Sequence, residues 1–221
     1  MVSIPSAVVE DALARLYRVA SDKRVAFRSR IKHFQRLRFP DGTNTGKGKP
    51  AAFSFSQYMQ LLLAFELVQS GLSPTTAAMV VGEWWINFYK AFARTMVDDD
   101  NVLSDPEEFT CRDLMFMIYF DAMWQLANEG EVSDRSQYWG MVKIVAPDQI
   151  GDTISSEEFV HKVDSPWRAL VIDARWLLET AVARIREAGF DLSNKQAFDD
   201  LLRDDASEIL YQLELRDNGH P

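Results

Sequence analysis

The sequence predicts a mainly helical protein with small sheets. A helical head interrupted by a hairpin loop is followed by a small α/β or α+β domain. Three observations carry this. Up to residue 96, apolar residues recur at steps of three and four between helix start and stop signals. Residues 41–50 hold three glycines and two lysines between Pro40 and Pro50, the composition of an exposed turn. After an acidic break at residues 97–101, runs rich in β-branched and aromatic side chains precede helical patterns.

The elements follow in order. Residues 6–20 carry Val9, Leu13, Leu16, Tyr17 and Ala20 at helical spacing, with Ser6 able to cap the helix. Residues 21–23 are a short polar turn. Residues 25–37 form a second helix whose apolar stripe is Phe27, Ile31, Phe34 and Leu37, and Pro40 stops it. Residues 51–55 are expected to form a short strand closing the glycine loop. A third helix runs over residues 57–70, with Ser56 as its cap and Gly71 beyond its end. Ser73-Pro74 opens a fourth, with proline at the first position, that runs to Met96.

The domain boundary is expected at residues 97–101, giving domains 1–97 and 98–221. In the second domain, residues 117–126 and 170–178 look alike: each is an apolar run, then Asp-Ala-x-Trp, then a helical pattern. An aspartate after an extended run is a good N-cap, so both read as strand-then-helix units. Residues 138–145 are β-rich and are expected to pair between them. Residues 194–215 read as an acidic amphipathic helix.

Charge is divided along the chain. Residues 1–60 hold 11 Lys+Arg against 4 Asp+Glu, a net of +7; residues 61–221 hold 13 against 29, a net of −16. A basic head of this kind concentrates phosphate backbones near it, while the acidic body keeps the molecule soluble. Nucleic acid is therefore the partner that composition favours. The order helix, turn, helix, Gly/Lys loop, helix is that of a winged helix-turn-helix. The second helix of such a unit lies in the major groove and the loop lies along the backbone or minor groove.

Side chains able to make those contacts lie off the apolar stripe of the second helix: Arg24, Arg28, Ser29, Lys32, Gln35 and Arg36. Arg28 or Arg30 has the fork for a bidentate contact to guanine, and Gln35 the amide for adenine. Lys32 and Arg36 suit phosphates, as do Lys47 and Lys49 on the glycine loop.

Three blocks of the head, in order and at matching spacing, resemble the MerR-type (mercury-resistance regulator) winged helices. Residues 31–40, Ile-Lys-His-Phe-Gln-Arg-Leu-Arg-Phe-Pro, resemble the family's Leu-Arg-Tyr-Tyr-Glu-Arg-Leu-Gly-Leu segment. Phe53-Ser54 resembles its Tyr-Ser after the wing. Residues 65–74 resemble its turn between helices. The resemblance covers residues 8–82. It implies a bacterial transcription regulator that binds double-stranded DNA as a homodimer. It puts Lys32 in the place of the family's recognition-helix arginine, His33 and Phe34 in the places of its paired tyrosines, and Arg36 on its arginine. The family's wing arginine corresponds to Ala52, and Leu37-Arg38 replaces its Leu-Gly. Nothing after residue 97 looks like the family's long dimerisation helix and cysteine-bearing metal loop, so effector and dimer geometry are not inherited. The acidic C-terminal half is a candidate surface for RNA polymerase or another protein. The second reading is a protein–protein interaction module that keeps the winged helix without reading DNA sequence.

Other features point away from catalysis. No Gly-rich phosphate loop, nucleophile elbow or His–carboxylate pair is present, so no catalytic residue and no cofactor is expected. His161 and His220 stand alone, without ligand spacing, so no metal site is expected. Asp98-Asp99-Asp100 reads as a solvated linker. Five aromatics within residues 83–92 read as core packing between the domains rather than as a dimer seam or an apolar ligand pocket. Cys111 is the single cysteine, so no internal disulfide forms. The first residues lack a basic-then-apolar leader, and the longest apolar run, residues 114–120, is far below the roughly 20 needed to span a bilayer. A soluble cytoplasmic protein with no membrane partner is expected.

Overall fold

In the computed structural model, which describes residues 2–43, 52–96, 113–120, 142–155, 168–197 and 199–200, strand β1 (Ile4–Pro5) leads directly into helix α1 (Ser6–Leu16). A 3₁₀ turn at Ser21–Lys23 precedes α2 (Arg24–Arg36). Strand β2 (Ala52–Phe53) returns antiparallel to β1, pairing Ile4 with Phe53 and Pro5 with Ala52. Helices α3 (Phe55–Gln69) and α4 (Pro74–Met96) follow.

The caps explain where the helices stop and start. Four of the described helices end in a left-handed residue, with paired bonds back into the last turn; Gly189 (φ 87°) does so after residue 187. At α3 it is Gly71 (φ 110°), whose N–H reaches the Val68 carbonyl while Leu72 reaches that of Leu67. At α1 and α2 the same position is taken by arginines, Arg18 (φ 50°) and Arg38 (φ 59°). The N–H of Val19 returns to the Ala14 carbonyl, so α1 closes at Leu16 instead of running to residue 20. α3 starts two residues earlier than Ser56 implied. Ser54 is its cap: the Ser54 hydroxyl accepts from Gln57 N–H at 3.0 Å, and the Gln57 side chain accepts from Ser54 N–H at 2.8 Å. Ser6 is the first residue of α1 rather than its cap, and Pro5 stands before it.

The second sheet is antiparallel, with β3 (Met115–Phe120) in the centre and β4 (Val142–Val145) and β5 (Arg168–Asp173) on either side. The β-rich stretch expected between two strands therefore lies at an edge, and an antiparallel sheet selects α+β from the two expected classes. The Asp173 side chain caps α6 (Ala174–Glu187) by accepting from Trp176 N–H at 2.8 Å, as the repeated Asp-Ala-x-Trp pattern implies. The other copy of that pattern, the proposed linker 97–101 and most of the acidic tail lie outside the described residues. A short helix α5 (Ile150–Ser155) contributes Ile150 and Ile154 to a small cluster around Met117 and Val145 on one face of the sheet.

The opposite face joins the main core. Phe116 stands edge-on to Phe88 and Phe92 of α4, with ring centroids 4.8 and 5.1 Å apart. The aromatic run 83–92 thus packs inward. Helix α6 lies against α1 and α4. A single buried cluster extends from Ile4 through Phe34, Phe65 and Phe116 to Ile185 and Ala197. The described residues are mainly helical, with two small antiparallel sheets among them. Among the described residues no helix is long and apolar enough to cross a membrane.

Candidate nucleic-acid interface

Helix α2 buries Phe27, Ile31 and Phe34, which sit within about 60° of one another at 100° per residue. Phe34 meets Phe65 at 5.3 Å and Phe39 at 5.9 Å, while Phe27 stacks on Phe65 at 5.2 Å. That anchoring decides what the opposite face shows. Val25, Ser29, Lys32 and Arg36, at steps of four, three and four, form one exposed stripe, flanked by His33. Val25 is 73% exposed, the highest among the large apolar residues described. The Ser29 hydroxyl donates to the Val25 carbonyl at 3.1 Å, which leaves its exposed oxygen able to accept a further hydrogen bond.

The remaining site residues separate onto the two flanks. On the α1 side, Arg24 pairs with Asp11 at 2.8 Å and Arg28 with Glu10 at 2.7 Å. Asp11 also receives Arg15 at 2.6 Å. The Arg15 hydrogen bond, opposed by desolvation and joined by Arg24, holds the Asp11 carboxyl below its usual range. The Glu10 hydrogen bond raises Arg28 further. Gln35 lies on this same flank and is half-buried. Arg30 lies on the other flank with Leu37 and is exposed. Within the described residues, Arg30, Lys32 and Arg36 have no ion-pair partner. Lys47 and Lys49 lie outside the described residues.

Two features escape sequence reasoning. The acids that occupy Arg24 and Arg28 come from α1, and nothing in the spacing of a helix reveals which face its neighbour will offer. Arg38 stands in a left-handed conformation just past α2, exposed, at the lip of an open cleft of about 780 Å³ between the end of α2 and helices α3 and α4. Its position, where the family-like pattern carries glycine, is the signal that could have drawn notice. Among the described residues, no three His, Cys, Asp or Glu side chains converge as metal ligands would.

Comparison with family models, curated proteins and solved structures gives no match.

Proposed function

We propose that this protein is a sequence-specific, double-stranded-DNA-binding transcription regulator, with α2 as the helix that enters the major groove. The observation that carries this reading is the outward stripe Val25–Ser29–Lys32–Arg36, opposite a buried aromatic anchor and free of acids from the described residues. Each residue type on it has a use in a groove. A valine meets a thymine methyl, a serine hydroxyl suits a base edge or a phosphate, and Lys32 and Arg36 reach phosphates. In this reading the glycine loop of residues 41–50, with Lys47 and Lys49, serves as the wing, and two copies read half-sites about one helical turn apart. Arg24 and Arg28, held by α1, orient the helix in this reading rather than touching DNA first.

That pairing is also what favours a second reading. Two of the five cations of α2 already have carboxylate partners, as in a module whose winged helix docks a protein instead of a phosphate backbone. Titration of the full chain against random-sequence duplex DNA at two salt concentrations separates the two. The regulator reading expects log affinity to fall with log salt, by about 0.9 per phosphate neutralised. It also expects the Lys32→Ala/Arg36→Ala double variant to weaken binding by about 1–3 kcal/mol per direct contact removed. An unchanged affinity in that variant gives the surface to the protein-docking module.

A further inference from the structure

Asp200 comes from the far end of the described chain, yet its carboxylate is buried at the root of the proposed reading head, 2% exposed. Its Oδ1 accepts the backbone N–H of Val2 at 2.6 Å, and its Oδ2 accepts that of Phe55 at 2.8 Å. These two donors are not arbitrary. In the β1–β2 register, Ile4 faces Phe53 and Pro5 faces Ala52; one step further out on the same face, Val2 would face Phe55. The carboxylate therefore stands where the next pair of the ladder would be, bridging the two chains as they diverge.

The ladder needs such a bridge. It is two residues long, and Pro5 has no N–H to give it. A two-stranded ribbon of that length does not hold itself together in water. Phe55 is also the first residue of α3, so its N–H has no partner within the helix and favours a negative group. Asp200 is itself held. Leu192 and Ala197 are fully buried, Ser193 and Gln196 cap the helical residues 194–197 reciprocally, and Arg186 Nη2 donates to Asn194 Oδ1 at 2.9 Å. On the inner side of the loop root, Thr43 Oγ1 donates to the Pro40 carbonyl and Gln57 Nε2 to that of Asp41.

We infer that Asp200 is a positioning residue for DNA binding: by clamping Val2 to Phe55 it holds β2, the strand that follows the lysine-bearing loop in the chain, against β1. The inference rests on the regulator reading for its consequence, but the clamp itself is testable without DNA. The experiment measures amide hydrogen exchange and duplex binding of the full chain in Asp200→Asn and Asp200→Ala. Asparagine keeps the shape but presents an NH₂ to one of the two donors, so one of the two bonds is lost. Exchange at Phe53 and Phe55 is expected to accelerate at least tenfold in Asp200→Asn, and further in Asp200→Ala, with the α6 amides unchanged. Unchanged exchange at Phe53 and Phe55, or an equal acceleration throughout α6, overturns the clamp. Affinity for random-sequence duplex is expected to fall two- to tenfold in Asp200→Asn, and the loss is expected to vanish in a Lys47→Ala/Lys49→Ala background, because the clamp acts through that loop. Faster local exchange with unchanged affinity, or with losses that add, overturns the positioning role. Absence of salt-dependent duplex binding by the unsubstituted chain would remove the regulator reading itself, while the exchange data still decide the clamp.

Discussion

Arg38 places an elementary conformational cost beside the proposed DNA face. A left-handed backbone costs a residue with a Cβ roughly 1–2 kcal/mol, which is why glycine usually ends a helix in this way. Gly71 and Gly189 do so for α3 and α6, whereas α2 uses an arginine at φ 59°. A strained residue at an exposed site points to a use for its side chain. A cation two residues after Arg36 extends the basic face of α2 toward the adjacent cleft. Arg38→Gly is expected to raise stability by about 0.5–1 kcal/mol, the relief of strain less the extra entropy of glycine in the unfolded chain. On the regulator reading it also flattens the salt dependence of DNA binding by about 0.9, one phosphate contact. Chemical denaturation and a salt titration check the two halves. A variant that gains stability and keeps its slope leaves Arg38 outside the interface.

At the scale of elements, periodicity and caps made most of the head legible. The Phe27, Ile31 and Phe34 stripe located α2 within a residue, and Gly71 and Ser73-Pro74 placed the α3–α4 turn. What stayed hidden were the joints between elements. Ser54 and Ser56 are equal candidates by composition, and only the reciprocal bonds with Gln57 select the first. The separation of α2's cations onto flanks was legible from 3.6-residue geometry, but the identity of the helix facing each flank was not. The joint between α1 and α3 is likewise tertiary. The single hydroxyl hydrogen of Tyr17 is shared between Glu66 at 3.0 Å and the Leu62 carbonyl at 3.3 Å, among the rings of Phe27 and Phe65. Burial raises the Glu66 carboxyl above its ordinary value despite that hydrogen bond, and burial also raises the Tyr17 phenol. A carboxyl whose folded pKa exceeds its unfolded value favours folding in its protonated form. That contribution is full below the unfolded pKa and is lost as pH rises through the folded one. Glu66→Gln keeps an acceptor for Tyr17 and removes the charge. It is therefore expected to melt higher than the unsubstituted chain near neutral pH, with the difference shrinking toward about pH 4.5. Melting curves across that range check it, and a constant difference would assign the effect to packing rather than ionisation.

For the whole molecule, the acidic stretch at residues 97–101 suggested two domains, yet the buried residues on its two sides share one core. Hydropathy along a chain records where apolar residues are scarce, not which surfaces meet afterwards. Helix α6 buries Leu177, Leu178, Val182 and Ile185 while packing on α1 and α4. At about 1.5–3 kcal/mol for each large apolar side chain, those four contribute roughly 6–12 kcal/mol, comparable to the entire stability of an ordinary domain. Phe116 adds its edge-on contacts to Phe88 and Phe92, about 0.5–1.5 kcal/mol each beyond their area. A fragment ending at Met96 would lose α6, β3 and the Asp200 clamp together, and would leave apolar faces of α1 and α4 uncovered. The fragment is therefore expected to bind a hydrophobic dye and to lack a cooperative thermal transition where the full chain melts in one step. If it instead melts sharply within a few degrees of the full chain, residues 1–96 carry their own core. The C-terminal half would then be an appended body whose contribution to the reading head, through α6 and through Asp200, is energetically small.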